Sequence, residues 1–189
     1  VVVVKCGIGK VNAAICTQIL ADRYKVDSVI NTGVAGSLNS DIDICDIVIS
    51  KDAIEHDMDV TALGYERGVI PDMDNSVFHS DIRLIDVAVK SIEEANLSVK
   101  VFTGRVVSGD QFIAGKEKKD DLVNTFAGDC AEMEGASIAH AAYVNNIPCL
   151  IIRAISDKAD GSAEMDYPTF EKKAAANSIK ILKQLIKNL

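Results

Sequence analysis

The sequence has no Cys-x-x-Cys pair, too few basic residues to balance its acids, and no apolar run long enough to cross a bilayer. Each absence removes a class of function. The five cysteines, Cys6, Cys16, Cys45, Cys130 and Cys149, are scattered and odd in number, which indicates neither a disulfide framework nor a zinc site. Three of them lie among apolar residues, as free cysteines do in a reduced compartment. Against 28 acidic side chains stand 20 basic ones, a net charge of −8. That balance repels phosphate backbones and anionic lipid surfaces alike, so neither nucleic acid nor membrane is an expected partner. The opening VVVVK is too short for a signal-peptide core, and the expectation is a soluble, cytoplasmic protein.

What is present is ample apolar content. A chain of 189 residues that is 48% hydrophobic suits one domain, residues 1–189, with a sizeable core. VVVVKCGIGK reads as a buried strand running into a glycine turn, and VNAAICTQILADRY follows with helical spacing of Val11, Ile15, Ile19 and Leu20. VDSVINTGVAGS repeats the strand-to-glycine theme, and DIVIS at 46–50 adds a strand. From Lys51 to Asn75 the chain is polar and rich in turn formers, a connection long enough to imply a use.

Ser80 or Asp81 can cap a helix with Ile82, Ile85, Val89 and Ile92 on one face. A strand follows in SVKVFTGRVVSGD, a charged helix in KEKKDDLVNTF, and a near-continuous apolar strand in CLIIRAIS. A last amphipathic helix is expected from about Asp166, carrying Phe170, Ile179, Leu182, Leu185 and Ile186. Strands alternating with helices imply a three-layer α/β/α fold around a mixed, largely parallel sheet. In such sheets ligands gather beyond the carboxyl ends of the strands. NTGVAG (31–36), SGDQF (108–112) and RAISD (153–157) should therefore converge on one pocket.

Taken in order, GIGKVNAA, NTGVAGSL, HDMDVTALGY, SGDQFIAG, AEMEGASIAH and RAISDKAD resemble the 5′-methylthioadenosine/S-adenosylhomocysteine nucleosidases of the purine nucleoside phosphorylase superfamily. The resemblance spans essentially the whole chain and implies a nucleoside phosphorylase-like fold. It also implies hydrolysis of an adenine–ribose bond, a small-molecule adenine nucleoside as substrate, a homodimer, and no cofactor. The residue types suit that chemistry. Breaking an N-glycosidic bond passes through an oxocarbenium-like sugar, so a site must protonate the leaving base and stabilise positive charge on the ribose.

By resemblance Asp157 is the general acid, and burial at a strand end beside Ser156 could keep it protonated. Glu134 matches the family's ribose-binding glutamate. Phe112 matches the aromatic that stacks on the purine, Ile113 the residue whose backbone reads its edge, Met133 the residue under the ribose, and Tyr167 an aromatic on the sugar side. Ala35 and Gly36 should let the backbone approach the ligand. Val34 stands where a small hydroxyl residue is expected. Val60, Leu63, Tyr65 and Pro71 should cover the alkylthio pocket of a partner subunit.

Plainer readings stand beside these. An aspartate after a strand is often only a turn former, Glu134 alone reads as a carboxylate favoured by a helix N-terminus, Phe112 could be core, and Met133 could simply fill a gap. Glu132 is read either at that same helix start or as the partner of Arg153, which lies in an apolar strand. GIGK lacks the G-x-x-x-x-G-K-[ST] spacing of a phosphate loop. His56 with Asp57 and Asp59 is a poor ligand set, so no metal is expected.

Three rival functions share the fold: a phosphorylase, an aminofutalosine hydrolase, and an inactive nucleoside-binding fragment. The phosphorylases carry an arginine where Cys45 stands, which favours water as nucleophile. The family opens with a strand ending in GAM-x-E-E, whose glutamate helps activate that water. No stretch of this sequence matches it, and the expectation is that the 189 residues alone turn over poorly.

Overall fold

Cys149–Asp157 is buried at every position, the mark of a strand covered on both faces. It is the last of six strands in a computed structural model that describes the backbone of residues 1–189 and every side chain except those of Glu164 and Met165. In chain order the elements are α1 (Lys10–Ile19), β1 (Val29–Ser37), β2 (Ile47–Glu55), β3 (Phe78–His79), α2 (Ile82–Glu94), β4 (Val101–Ser108), α3 (Lys116–Phe126), β5 (Cys130–Glu132), α4 (Gly135–Val144), β6 (Cys149–Asp157) and α5 (Ala163–Asn188). A π turn at Leu20–Tyr24 extends α1.

The sheet runs β3-β2-β4-β5-β1-β6, and β2 also pairs with β6, so it curls back on itself. The long ladders, β1 with β6 and β2 with β4, are parallel, and β4 pairs parallel with β5. Antiparallel contacts join β1 to β5, β2 to β3 and β2 to β6. This is the mixed sheet that alternating strands and helices call for.

Alternation along the strands sorts the core into layers. Val48 and Ala53 of β2 and Ile151 and Ile155 of β6 face α1 and α4, packing with Ala13, Ala136, Ala139 and Ala142. Ile47 and Ile49, with Leu150, Ile152 and Ala154, face the other way onto Leu84, Ala88 and Ile92 of α2 and Ala174, Ile181 and Leu185 of α5. The small residues of α4 let that helix sit close against the sheet.

Several local expectations are corrected. Val1–Val4 form no strand; they are exposed, because among the described residues no neighbouring strand offers them a ladder, and strand preference is largely a preference for such neighbours. Asp81 does cap α2, accepting the Leu84 amide at 3.0 Å. The buried stripe is Leu84, Ala88 and Ile92, however, and Ile82 points out at 76% exposure. Beyond its first turn, the buried positions described on α5 are Ala174, Ser178, Ile181 and Leu185, while Ile179 is exposed. These follow the same helical period as the expected set, rotated about the axis.

Candidate active site

The carboxyl ends of β1, β4 and β6 meet, with β5 between β4 and β1. Gly36, Gln111, Phe112, Ile113, Met133 and Asp157 line a small cavity there, backed by Ala131, Glu132 and Ala159. The three strand ends singled out in the sequence thus converge.

Asp157 ends β6 and is 2% exposed. Its Oδ1 accepts the Ala159 amide at 2.8 Å, and its Oδ2 lies 2.9 Å from Ser156 Oγ. Burial pushes its carboxyl above the ordinary range, against the lowering effect of those two hydrogen bonds. Ser156 stands behind it and also reaches the Ala35 carbonyl at 3.3 Å. Ala35 and Ser156 therefore shape Asp157 and its strand rather than line the cavity. Val34 packs with the core on the α2 and α5 side, turned away from the cavity.

The two glutamates of AEMEG divide their tasks. Glu132 caps α4: its carboxylate accepts the Gly135 amide at 2.9 and 2.8 Å and the Glu134 amide at 3.1 Å. It also takes the Ser108 hydroxyl and pairs with the buried Arg153, which reaches Asn31 as well. Glu134 occupies the cap position without capping. It looks the other way, and its Oε1 accepts the Gly9 amide at 2.9 Å. Burial raises its pKa and the neighbouring Glu132 adds to that, while the Gly9 amide and Arg153 oppose it. Tyr167, on α5, meets Phe112 edge-on with ring centroids 5.6 Å apart. Its phenol is pushed up by burial first and then by the charges of Glu171, Asp157 and Glu134. Phe112 is half exposed and Ile113 is buried.

GIGK is a turn held from outside, not a phosphate cradle. Lys10 Nζ is taken by Asp57 at 2.7 Å and Glu55 at 3.1 Å. Asp59 accepts the Thr61 amide at 3.0 Å, just ahead of the short turn at Thr61–Leu63, and His56 is buried with neither ring nitrogen bonded among the described residues. Asp57 and Asp59 are thus already engaged, and no cluster of three metal-binding side chains occurs among the described residues. Leu63 and Tyr65 are exposed, with Val60 and Pro71 partly so.

Asp110 and Gln111 come with the SGDQF segment expected at the pocket, while Gly9, Lys10, Glu55 and Asp57 join the site without having been singled out for it. Of these four, only the glycine-lysine turn carried a local signal. The carboxylates that hold it come from segments 45 and more residues away.

The chain matches the Phosphorylase superfamily over residues 1–187. It is 42% identical to the 5′-methylthioadenosine/S-adenosylhomocysteine nucleosidase of Staphylococcus aureus (strain JH9) over 190 aligned positions, covering all of this chain and 82% of that protein. Among solved structures, the futalosine hydrolase of Helicobacter pylori strain 26695 superposes with a TM-score of 0.92 at 34% identity, over 97% of this chain and 78% of that one. The 5′-methylthioadenosine/S-adenosylhomocysteine nucleosidase of Neisseria meningitidis, in complex with methylthio-immucillin-A, gives 0.92 at 39% identity, over 97% and 79%.

Proposed function

The chain belongs to the phosphorylase superfamily, and from that premise we propose that it is an N-glycosyl hydrolase that cleaves 5′-methylthioadenosine and S-adenosylhomocysteine to adenine and the 5-thioribose product. The observation that carries this reading is Asp157: a carboxyl 2% exposed at a strand end, lining a cavity with Phe112 and Met133, its pKa raised by burial. A buried carboxyl whose pKa is raised keeps its proton to higher pH than an ordinary aspartate and can donate it to a leaving base.

In this mechanism Phe112 stacks on adenine and Asp157 gives its proton to purine N7. The C1′–N9 electron pair passes to the base, and Glu134 accepts hydrogen bonds from the ribose hydroxyls and supports the cationic sugar. Water adds to C1′ and its proton is lost to solvent, from which the Asp157 carboxylate is reprotonated. Met133 packs under the sugar and Tyr167 closes its side. Gly36 leaves room for the acid, Ala35 and Ser156 support Asp157 from behind, and the backbone of Ile113 reads the purine edge. No cofactor or metal is needed.

Water is favoured over phosphate by the state of the nearby cations. Lys10 is paired with Asp57 and Glu55, and Arg153 with Glu132, so neither is free to hold a phosphate. A second reading, hydrolysis of aminofutalosine, is supported by the match to a futalosine hydrolase at a TM-score of 0.92.

The protein is further read as one nucleoside phosphorylase-like domain, a cytoplasmic homodimer serving methionine salvage. Supporting the dimer, Val11, Ile15 and Ile19 leave an exposed apolar stripe along α1, with Ile8 exposed just before it, and Leu63 and Tyr65 are exposed nearby in sequence to the site's Asp57. Val60, Leu63, Tyr65 and Pro71 would cover the partner's alkylthio pocket. No described helix is long and apolar enough to cross a membrane.

The test is adenine release from methylthioadenosine, S-adenosylhomocysteine and aminofutalosine, each with and without phosphate. Release from the first two without phosphate is expected. Release only with phosphate would make the protein a phosphorylase, and tight binding without release would make it a nucleoside-binding protein.

A further inference from the structure

Lys10 spends every polar group it has. Its amide donates to Asp110 Oδ1 at 2.8 Å, its carbonyl accepts from Ser137 Oγ at 2.9 Å, and its ammonium reaches Asp57 Oδ1 at 2.7 Å and Glu55 Oε2 at 3.1 Å. The partners are cross-linked in turn. Asp57 Oδ2 accepts the Asp110 amide at 2.9 Å, and Glu55 Oε1 lies 3.1 Å from His140 Nδ1, whose ring stacks on Phe78 with centroids 4.8 Å apart. One lysine thus joins the GIGK turn to the end of β2, the loop after β4 and the face of α4.

The residue before it touches the proposed chemistry. Gly9 donates its amide to Glu134 Oε1 at 2.9 Å, the contact that ties this carboxylate to the GIGK turn. Gly9 has φ +90, and a Cβ there would come within 2.9 Å of Asp110 Oδ1, so the turn closes on Asp110 only with glycine in place. Two carboxylates, Glu55 and Asp57, converge on this point and would repel each other without a cation between them. Burial alone would lower the Lys10 pKa, but Asp57 and Glu55 outweigh it and hold the ammonium above its ordinary range.

We propose that Lys10 is a positioning residue: by clamping the GIGK turn to Glu55, Asp57 and Asp110, it fixes the Gly9 amide on one oxygen of Glu134 and aims the other at the sugar hydroxyls. This rests on the reading of Glu134 as the ribose-binding carboxylate. It assigns Lys10 a task on the sugar side of the site and none on the purine side.

The experiment compares Lys10→Met and Lys10→Arg with the unaltered protein, measuring kcat and KM for adenine release from methylthioadenosine and from its 2′-deoxy counterpart, which lacks one hydroxyl for Glu134 to hold. For Lys10→Met, kcat/KM on methylthioadenosine should fall on the order of tenfold or more, mainly in kcat, and on the deoxy substrate by less than about threefold. Lys10→Arg, which can still bridge the two carboxylates, should recover most of the loss. Equal losses on both substrates, or none, overturn the assignment. If Lys10→Met shows no cooperative melting transition, Asp57→Asn, which leaves Glu55 as partner, is judged by the same rule with a smaller effect. Adenine release from the unaltered protein with equal losses in the variants sinks the positioning role alone. No release from the unaltered protein overturns the hydrolase reading, and this assignment with it.

Discussion

Gly36 stands so close to Asp157 that a Cβ on the glycine would lie 2.6 Å from Asp157 Oδ1 and 2.9 Å from Ala159 Cβ. The two residues pair across the parallel β1–β6 ladder, just where its register shifts. Glycine at 36 therefore makes space for the buried acid itself. Gly36→Ala should cost about 1–3 kcal/mol through overpacking and lower adenine release well beyond what the stability loss explains, because Asp157 must move. Melting curves alongside kcat at a temperature where both proteins are folded check this. Unchanged kcat would show that Asp157 tolerates the displacement.

Asp157→Asn should abolish cleavage while leaving nucleoside affinity within about tenfold, since the proton matters chiefly in the transition state. The raised carboxyl pKa adds a pH signature. Only the protonated acid can donate, so kcat/KM should fall as pH rises through that raised value. Stability follows the same sign: with the native pKa above the unfolded one, the contribution of Asp157 is fully present below the ordinary aspartate range and is lost as pH rises through the native value. The asparagine variant stays neutral. It should therefore melt above the unaltered protein near pH 8 and lose that advantage toward about pH 4. A pH-independent difference would contradict the burial argument.

The layered fold and the meeting of three strand ends are legible in the sequence, because apolar runs that end in glycine or polar signatures and alternate with helical stretches are local signals. Helix rotation is less so. Ile82 and Ile179 fit a helical stripe as well as Leu84 and Ile181 do, and only the partners across the sheet decide which set is buried. The short strand Cys130–Glu132 has too few residues to show a period. For Glu132 the sequence left two readings open, and the structure gives it both, capping α4 and pairing with Arg153. The Lys10 clamp was out of reach, since its carboxylates are distant in the chain and nothing near GIGK points to them.

Glu132→Gln should be strongly destabilising. Arg153 is 3% exposed and loses its carboxylate partner, and breaking one side of a buried pair costs about 3–5 kcal/mol. The new amide nitrogen would also face the Gly135 and Glu134 amides, which need acceptors. Denaturant unfolding measures the cost. A change below about 1 kcal/mol would mean that the pair is far better solvated than its burial implies.

Leu63→Asp tests the proposed dimer. Leu63 is 74% exposed in a turn that follows closely on Asp57 and Asp59, with Tyr65 exposed two residues on, so the loop offers a partner more than a single apolar side chain. On α1, Val11 and Ile15 are 68% and 55% exposed at a spacing of four residues, so they share a face that the chain's own core does not use. If the two surfaces belong to one interface, Leu63→Asp and Ile15→Asp should each shift sedimentation toward monomer. Only Leu63→Asp should also weaken affinity for methylthioadenosine more than for adenine, because the alkylthio group alone is proposed to contact the partner's loop. A monomeric Leu63→Asp protein with unchanged preference for methylthioadenosine would leave the dimer standing and remove the partner's loop from the pocket. An unaltered oligomeric state in both variants would remove these surfaces from the interface.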